Sequence, residues 1–371
     1  MRVLIDLTSL ADNFSGIERF ALNITKELLA AKDRTDIKYI LVFKNEVHKD
    51  LSDIGKDVKY IVLYGRNKLI FNQLILPIEL MKIKADYYFF PAFPAPFFFF
   101  KKNAISAIHD VGCWDSPSKN KEYMIAYFKI MYRKVVMGRK KIVTVSEFSK
   151  KRIEIILNKR PEDILVVYDG LSDCFELFTY DEKQDDKAIN EYKLPKEYIL
   201  CLSTLEPRKN LRLLVQAYDE LLQENVIDID LVLAGRKGWS IDDLLNSLNK
   251  KTLGRIHFTG FVDDNLLPYV YRNAKLFVFP SVYEGFGVPP IEAMSMGVPV
   301  ISSDAASLPE TLDDAAFYFQ SNDLEGLKQK ILYVLAIEES KLNEIKAKGF
   351  IQAHKFNWNT EAIKLRENLF K

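Results

Sequence analysis

Two short segments concentrate the residue types that handle a charged, hydroxyl-rich ligand. The first is Glu284-Gly285-Phe286-Gly287-Val288-Pro289-Pro290-Ile291-Glu292, which follows the apolar run Leu276–Phe279. Gly285 and Gly287 let backbone come close to a ligand and expose N–H groups. Pro289 or Pro290 suits a first helical turn. The N–H groups at such a start attract an anion, for instance a diphosphate. Glu292 is then expected in that first turn, where a carboxylate accepts hydrogen bonds from sugar or ribose hydroxyls. Glu284 lies just before the glycines. The plainer alternative is an ordinary strand–turn–helix with one surface and one capping glutamate, and spacing alone leaves both open.

The second segment is Thr204-Leu205-Glu206-Pro207-Arg208-Lys209-Asn210, between the strand candidate Tyr198–Leu202 and a helix expected over Leu211–Leu222. Arg208 can clamp phosphate oxygens bidentately and Lys209 can act as a point charge. Fixed cations there would stabilise charge that develops on a leaving diphosphate. The alternative is two solvated basic residues, in a placement that opposes the helix dipole. His109 ends the apolar run Ala104–Ile108, where ligand-facing residues of a parallel sheet belong. A structural hydrogen bond is the competing role for it. Asp110 either meets a ligand or holds His109. The D-x-D match Asp228-Ile229-Asp230 stands at the entry of the strand Leu231–Ala234, the wrong end for a ligand, and reads as chance. Four histidines lack metal-ligand spacing, and Cys113, Cys174 and Cys201 are scattered without a CxxC. No metal site and no disulfide framework is expected, and a reducing compartment fits.

These residues need elements to position them. A length of 371 residues with 48% apolar side chains implies two domains. Strands are expected at Val3–Leu7, Tyr39–Phe43, Val58–Leu63, Tyr87–Phe90, Ala104–His109, Ile142–Val145 and Ile164–Val167. A second series follows at Tyr198–Leu202, Ile229–Ala234, Ile256–Thr259, Leu276–Phe279, Val300–Ser302 and Ala316–Phe319. Amphipathic helical segments fall between most of them. This alternation implies parallel sheets covered by helices on both faces. The charged stretch Glu176–Asn190 reads as a linker. The default ligand site is then a cleft at the carboxyl ends of the strands. The amphipathic segment Trp358–Phe370 is expected to return to the first domain.

The net charge of +1 argues against a general nucleic-acid binder. It hides an asymmetry: residues 1–180 carry 29 basic and 22 acidic side chains, residues 181–371 carry 23 and 29. The N-terminus reads as a first strand rather than a signal peptide, which suggests a cytoplasmic chain. The apolar stretch Tyr87–Phe100 is broken by three prolines and is too short to span a membrane. It has two readings. One is a buried strand and a packed loop. The other leaves Phe97–Phe100 partly exposed beside Lys101 and Lys102. In that case the helix Tyr123–Lys141, with Lys129, Arg133, Lys134, Arg139, Lys140 and Lys141, extends a basic face. Segments 97–102 and 123–141 would then touch the inner leaflet of the cytoplasmic membrane, making the chain peripheral there.

Together, Glu206–Asn210 and the E-x7-E pattern of Glu284 and Glu292 resemble the signature blocks of the retaining GT-B glycosyltransferases of family 4, the group 1 enzymes of bacterial surface-polysaccharide synthesis. The resemblance runs along the chain through Ser15-Gly16-Ile17-Glu18-Arg19, Ile108-His109-Asp110, Val145–Ser149 and Ser303–Glu310. It implies an α/β architecture of two Rossmann-like, doubly wound domains facing across a cleft. Residues 1–178, with a helix at 356–371, would bind acceptor; residues 188–355 would bind the nucleotide-sugar donor. Arg208 and Lys209 would hold the diphosphate, and Glu292 the ribose. Glu284 would contact the transferred sugar, with backbone N–H groups around Gly285, Phe286, Gly287 and Val288 nearby. Gly16 would let the first loop close on phosphate. His109, with Asp110, would lie in the catalytic centre. The family often has glycine where Ser203 stands; its side chain either narrows the phosphate approach or donates to a phosphate.

The resemblance implies anomeric retention. No carboxylate is placed as a nucleophile, so front-face substitution is the expected route. GDP-mannose is the first donor to try, with UDP- and dTDP-sugars as alternatives. The expected acceptor is a growing, lipid-linked saccharide, with neither cofactor nor metal. A dinucleotide-dependent dehydrogenase is disfavoured because no G-x-G-x-x-G joins an early strand to a helix. A non-catalytic two-domain nucleotide- or sugar-binding protein is the alternative of another class.

Overall fold

The short apolar runs become the strands of two all-parallel sheets in a computed structural model of the chain, which describes residues 1–10, 16–31, 37–52, 58–116, 122–137, 140–203, 206–236, 245 and 248–370. Ser15, Arg139, Thr204 and Leu205, named above, lie outside the described residues. The chain divides into two compact units, Met1–Gly170 with Asn357–Lys371, and Leu171–Phe356.

In the first unit the strands are β1 (Arg2–Asp6), β2 (Lys38–Lys44), β3 (Val58–Leu63), β4 (Tyr87–Phe90), β5 (Ala104–Ala107), β6 (Ile142–Thr144) and β7 (Ile164–Val166). Their order is β3-β2-β1-β4-β5-β6-β7. β1 is central, with Val3 opposite Tyr39 on one side and Tyr87 on the other. Leu4, Val42, Tyr88, Phe90, Ala104 and Ile142 join one core cluster, as strands covered on both faces should. Helix Gly16–Ala30 buries Phe20, Ala21, Ile24 and Leu28 at helical spacing. Helix Trp358–Leu369 packs against it. Asn357 caps that helix by accepting from the Asn359 and Thr360 amides. The rings of Phe20 and Trp358 meet edge to face at 5.5 Å, and Phe370 closes on Tyr87 and Phe89. The C-terminal segment thus belongs to the first unit.

The second unit holds β8 (Tyr198–Leu202), β9 (Asp230–Ala234), β10 (Ile256–Gly260), β11 (Leu276–Phe279), β12 (Val300–Ser303) and β13 (Phe317–Phe319), ordered β10-β9-β8-β11-β12-β13. Helix Leu211–Gln223 buries Leu211, Leu214, Val215, Tyr218, Leu221 and Leu222 against this sheet's core. The stretch expected as a linker is instead structured. Asp181 caps a helix over Glu182–Tyr192, its backbone N–H donates to the Tyr269 hydroxyl, and Asn273 donates to Asp185. That helix buries Ala188 alone, so its charges face water, which is why composition suggested a linker.

In both sheets the strand order reverses beside the first strand, between β1 and β4 and between β8 and β11. Ligands of doubly wound sheets bind outside the carboxyl ends at such switch points.

Candidate active site

In the second unit the loops leaving β8 and β11 meet at the switch point. After β8 the chain makes a single 3-10 turn, Pro207–Lys209, and Asn210 at φ 52° separates it from the helix Leu211–Gln223. The two cations therefore sit in the turn and not in the helix. From the β11 side Glu284 takes both. Its Oε1 is 2.6 Å from Lys209 Nζ and its Oε2 3.0 Å from an Arg208 guanidinium nitrogen. Ser281 Oγ donates to the same Oε1 at 2.5 Å. Arg208 also donates to Glu206 at 3.0 Å and to the Tyr283 carbonyl at 3.2 Å. Lys209 lies 5.2 Å from the centre of the Phe279 ring.

Glu284 and Lys209 are both buried. Burial alone would raise the Glu284 carboxyl, but the charges of Lys209 and Arg208, with hydrogen bonds from Lys209 and Ser281, hold it at about 2. Burial pulls the Lys209 ammonium down while Glu284 opposes it. A carboxylate kept ionised 2.6 Å away makes this an ion pair.

The glycine turn is clasped from behind. Gly287 has φ 101°, and a Cβ there would stand 2.7 Å from Leu308 Cδ2. Ser307 Oγ donates to the carbonyls of Glu284 and Phe286, and Thr311 Oγ1 also donates to Phe286. The Phe286 ring is buried edge-on to Phe356 at 5.0 Å. The helix starts at Val288 and runs to Ser295, with Gly287 as a cap that brings no side chain to the first N–H groups. Glu292 is its fifth residue, just past the first turn where it is expected, because the helix starts one residue before the two prolines. Its Oε2 accepts from the Tyr271 hydroxyl at 2.8 Å, and both residues are buried. Ser203 follows β8 directly. Its N–H donates to the Ala234 carbonyl, and its buried Oγ has no hydrogen-bond partner among the described residues. Asp228 and Asp230 are taken up by Arg255 and His257 at the amino end of β9.

The first unit places its candidates differently. His109, two residues past β5, is buried with Nε2 2.9 Å from the Pro91 carbonyl, which follows β4. A carbonyl only accepts, so Nε2 carries the proton. Burial lowers the pKa of the ring, against the pull of the Pro91 carbonyl, Asp110 and Glu18, and favours the neutral form with a bare Nδ1. Phe20 packs edge-on against it at 4.9 Å. Asp110 accepts from the Gly112 N–H at 2.8 Å, starting the helix Gly112–Asp115. Of its two candidate roles, the recorded bond serves the local turn and not His109. Gly16 opens the helix Gly16–Ala30, with no atom of the described residues near the place of a Cβ. Ser146 caps the helix Glu147–Leu157 by accepting from Ser149, so that motif is an N-cap.

The aromatic run resolves into parts of both readings. Tyr87–Phe90 is strand, and Phe99 is fully buried on Tyr88 and Phe90. Phe97, Phe98 and Phe100 are exposed at 38%, 47% and 66%. The expected basic face is weaker than composition implied. Lys134 donates to the Pro96 and Phe99 carbonyls, and burial lowers its pKa to about 8. Lys129 and Arg133 lie over Trp114, and Lys141 pairs with Asp163. No helix among the described residues is long and apolar enough to cross a membrane.

Tyr271 and Thr311 lie outside every motif of the sequence reading, whereas Ser281, three residues before Glu284, and Ser307, inside Ser303–Glu310, carried a local signal but no assigned role.

The family model described as "Glycosyl transferases group 1" matches residues 182–350. The O-antigen chain mannosyltransferase B of Escherichia coli is 30% identical over 373 residues, covering 96% of each chain. A glycosyltransferase structure from Rickettsia africae ESF-5 superposes with a TM-score of 0.73 at 19% identity, over 99% of this chain and 97% of that one. The Anabaena protein HepE, in complex with UDP and glucose, gives 0.73 at 16% identity, over 100% and 99%. The shared fold is GT-B, and the chain belongs to the group 1 glycosyltransferases.

Proposed function

We propose that this glycosyltransferase moves mannose from GDP-mannose to a growing, lipid-linked saccharide, with retention of configuration and without metal. The choice of mannose leans on the name of the Escherichia coli relative. The observation that carries the donor assignment is the convergence of Arg208 and Lys209 on Glu284 at the β8–β11 switch point.

In this reading the diphosphate meets Arg208 and displaces Glu206, whose side chain is 36% exposed, while the buried Glu284 stays in place. Lys209 and Arg208 then stabilise the charge on the departing phosphate oxygen. That oxygen takes the proton of the attacking acceptor hydroxyl on the same face of the sugar, so one C–O bond forms as the other breaks. Tyr271 orients the Glu292 carboxylate toward ribose hydroxyls. His109 holds its proton on Nε2 against Pro91, so its part is to accept a sugar hydroxyl at Nδ1 rather than to donate a proton. The clasp of Ser307 and Thr311 holds the glycine turn still, so its N–H groups need little reorganisation to bind an anion.

The same reading takes the chain to the inner leaflet of the cytoplasmic membrane through Phe97, Phe98 and Phe100, flanked by the exposed Lys102. Pelleting with vesicles containing phosphatidylglycerol should fall when these three phenylalanines become serine; equal pelleting would remove the aromatic contact.

Calorimetry with GDP, UDP, ADP and dTDP, each with and without magnesium, tests the donor site. The expected result is tight, magnesium-independent GDP binding that weakens about tenfold or more in Arg208→Ala, as loss of a charge-assisted pair should cause. Binding of another nucleotide would change the donor, and wild-type affinity in Arg208→Ala would overturn the site. The one-bond carbon–proton coupling at the anomeric centre of the product decides retention.

A further inference from the structure

Two cavities open in the first unit. The larger, a groove of about 1190 Å³, lies beside Asp6 at the carboxyl edge, the end where doubly wound sheets bind their ligands. The smaller, of about 350 Å³, lies at the opposite, amino edge. Arg2 and Lys38 are the first residues of β1 and β2, and Lys59 is the second of β3. Lys82 ends the helix Leu76–Lys82, and Ile83 and Lys84 lead on from it. All of these line the smaller cavity, with the buried Tyr39 and Ile40.

The register gathers three of the cations on one face. Arg2 stands directly opposite Lys38, and Lys59 opposite Ile40, two residues after Lys38. Residues two apart on a strand share a face, so Arg2, Lys38 and Lys59 do too. Like charges directly opposite on neighbouring strands oppose their pairing. Little answers these charges. Lys82 pairs with Glu79 at 2.7 Å. Arg2, Lys38, Lys59 and Lys84 have no ion pair among the described residues. Asp86 accepts from the Arg2 backbone N–H at 2.7 Å. Lys82 also has an ordinary role, since a cation in the last turn answers the helix dipole. No helix end accounts for Arg2, Lys38 or Lys59, which stand on strands.

Five exposed cations around one cleft suit an anion of several charges. The volume is near the lower end of the ~300–1,000 Å³ of small-ligand sites, so that anion is compact. Tyr39 is buried, and no other aromatic side chain among the described residues lines the cleft, so nothing there offers a nucleobase a face to stack on. We propose that the amino edge of the first sheet is a second anion site, which takes a soluble, compact polyanion of two or more linked phosphoryl groups through Arg2, Lys38, Lys59 and Lys84. A lipid headgroup carries the same chemistry, but a bilayer meets a flat basic face, whereas these cations ring a cleft. The site does not depend on the donor reading: Arg208 and Lys209 belong to the second unit.

Calorimetry with inorganic phosphate and inorganic triphosphate tests it on the full chain. Triphosphate should bind about tenfold or more tightly than phosphate, as added charge-assisted contacts require. The double variant Lys38→Gln, Lys59→Gln should lose that gain. Its melting point should match or exceed that of wild type, because the change removes like charges from neighbouring strands. Lys196→Gln, Lys250→Gln takes the same charge from exposed positions of the second unit and should keep the gain. Triphosphate can also seek the donor cations, so the gain should survive in Arg208→Ala. Pelleting with phosphatidylglycerol vesicles separates the two sources of phosphate and should be the same for wild type and the Lys38, Lys59 variant. A triphosphate gain that survives the loss of Lys38 and Lys59, or that vanishes in Arg208→Ala or in the second-unit variant, overturns the proposal. So does a Lys38, Lys59 variant that keeps its triphosphate affinity and loses only its vesicle pelleting, since the cluster would then serve a bilayer.

Discussion

The two sheets share one strand order around their first strand, yet the switch points they create carry opposite electrostatics. At the β8–β11 point every strong charge already has a partner: Glu284 holds Lys209 and Arg208, and Arg208 also holds Glu206. At the β1–β4 edge Asp6 and His109 are both shifted toward their neutral forms. Burial raises Asp6 to about 6 against hydrogen bonds from Thr8, and burial favours neutral His109. In the function proposed above, one edge is an ion cluster that exchanges the Glu206 carboxylate for a phosphate, and the other offers Asp6 and His109 to a hydroxyl-rich ligand. The backbone order does not choose between these; the residues after each strand do.

The largest expected effect breaks the charged edge. Glu284→Ala leaves two cations without their buried counter-charge and should cost about 3–5 kcal/mol of stability. Turnover should fall about a hundredfold or more with the disturbed cation pair. The sign in pH follows from a folded carboxyl near 2 against an ordinary value of 4.5. Its stabilising contribution is complete above the unfolded value and fades as pH falls from there toward 2. Urea melts of wild type and variant should therefore differ most at neutral pH and converge near pH 2. A constant gap would mean that Glu284 acts by packing rather than by charge.

The neutral edge should respond with the opposite sign. Asp6 has an ordinary value of 3.8 and a folded value near 6, so ionising it costs stability as pH rises through that window. Asp6→Asn should stabilise the protein by about 3 kcal/mol at pH 8 and by little at pH 3. The same variant should raise the acceptor KM. Gain of stability with loss of acceptor binding is what a carboxylate kept for function predicts; a change in neither would reduce Asp6 to a surface group.

How legible these edges were in sequence depended on how local their physics is. The strands could be read because chains buried on both faces are short and aliphatic, as in Leu4-Ile5 and Val232-Leu233. Arg208, Lys209, Glu284 and Glu292 stood in dense motifs. The partners that fix them stood apart from those motifs: Tyr271 reaches Glu292 across 21 residues, and Ser307, in the separate block Ser303–Glu310, reaches the glycine turn from the next strand's loop. The helix Glu182–Tyr192 passed for a linker because it buries one alanine. Lys134 passed for a headgroup contact because sequence cannot show a lysine spent on the Pro96 and Phe99 carbonyls. The groove beside Asp6 gathers residues from β1 through Phe128, with no spacing to announce it.

His109 sharpens the contrast at smaller scale. His109→Phe keeps a ring against Phe20 and orphans the Pro91 carbonyl, for a loss of about 1–2 kcal/mol. In wild type the ring is neutral in both states above its ordinary value of 6.5. As pH falls below 6.5 the unfolded chain takes the proton first, so stability declines toward the lower folded value. The variant should lack that acid-side decline. If it kept the same profile, the titrating group would lie elsewhere.

The smallest effects compare the two helix-start glycines, and they separate strain from approach. Gly287 sits at φ 101° with Leu308 2.7 Å from the place of a Cβ. Gly287→Ala should cost about 1–2 kcal/mol through the left-handed backbone alone. Gly16 shows neither constraint: it is helical, and no atom of the described residues stands within 4 Å of a Cβ. Gly16→Ala should therefore raise stability slightly, by about 0.5 kcal/mol, because the unfolded chain loses freedom. If Gly16 is there to let a phosphate reach the helix start, that same methyl should lower turnover about tenfold or more while the melting curve stays put or improves. A variant as active as wild type would mean that the glycine marks only a permissive turn, and that phosphate is handled by the second unit alone.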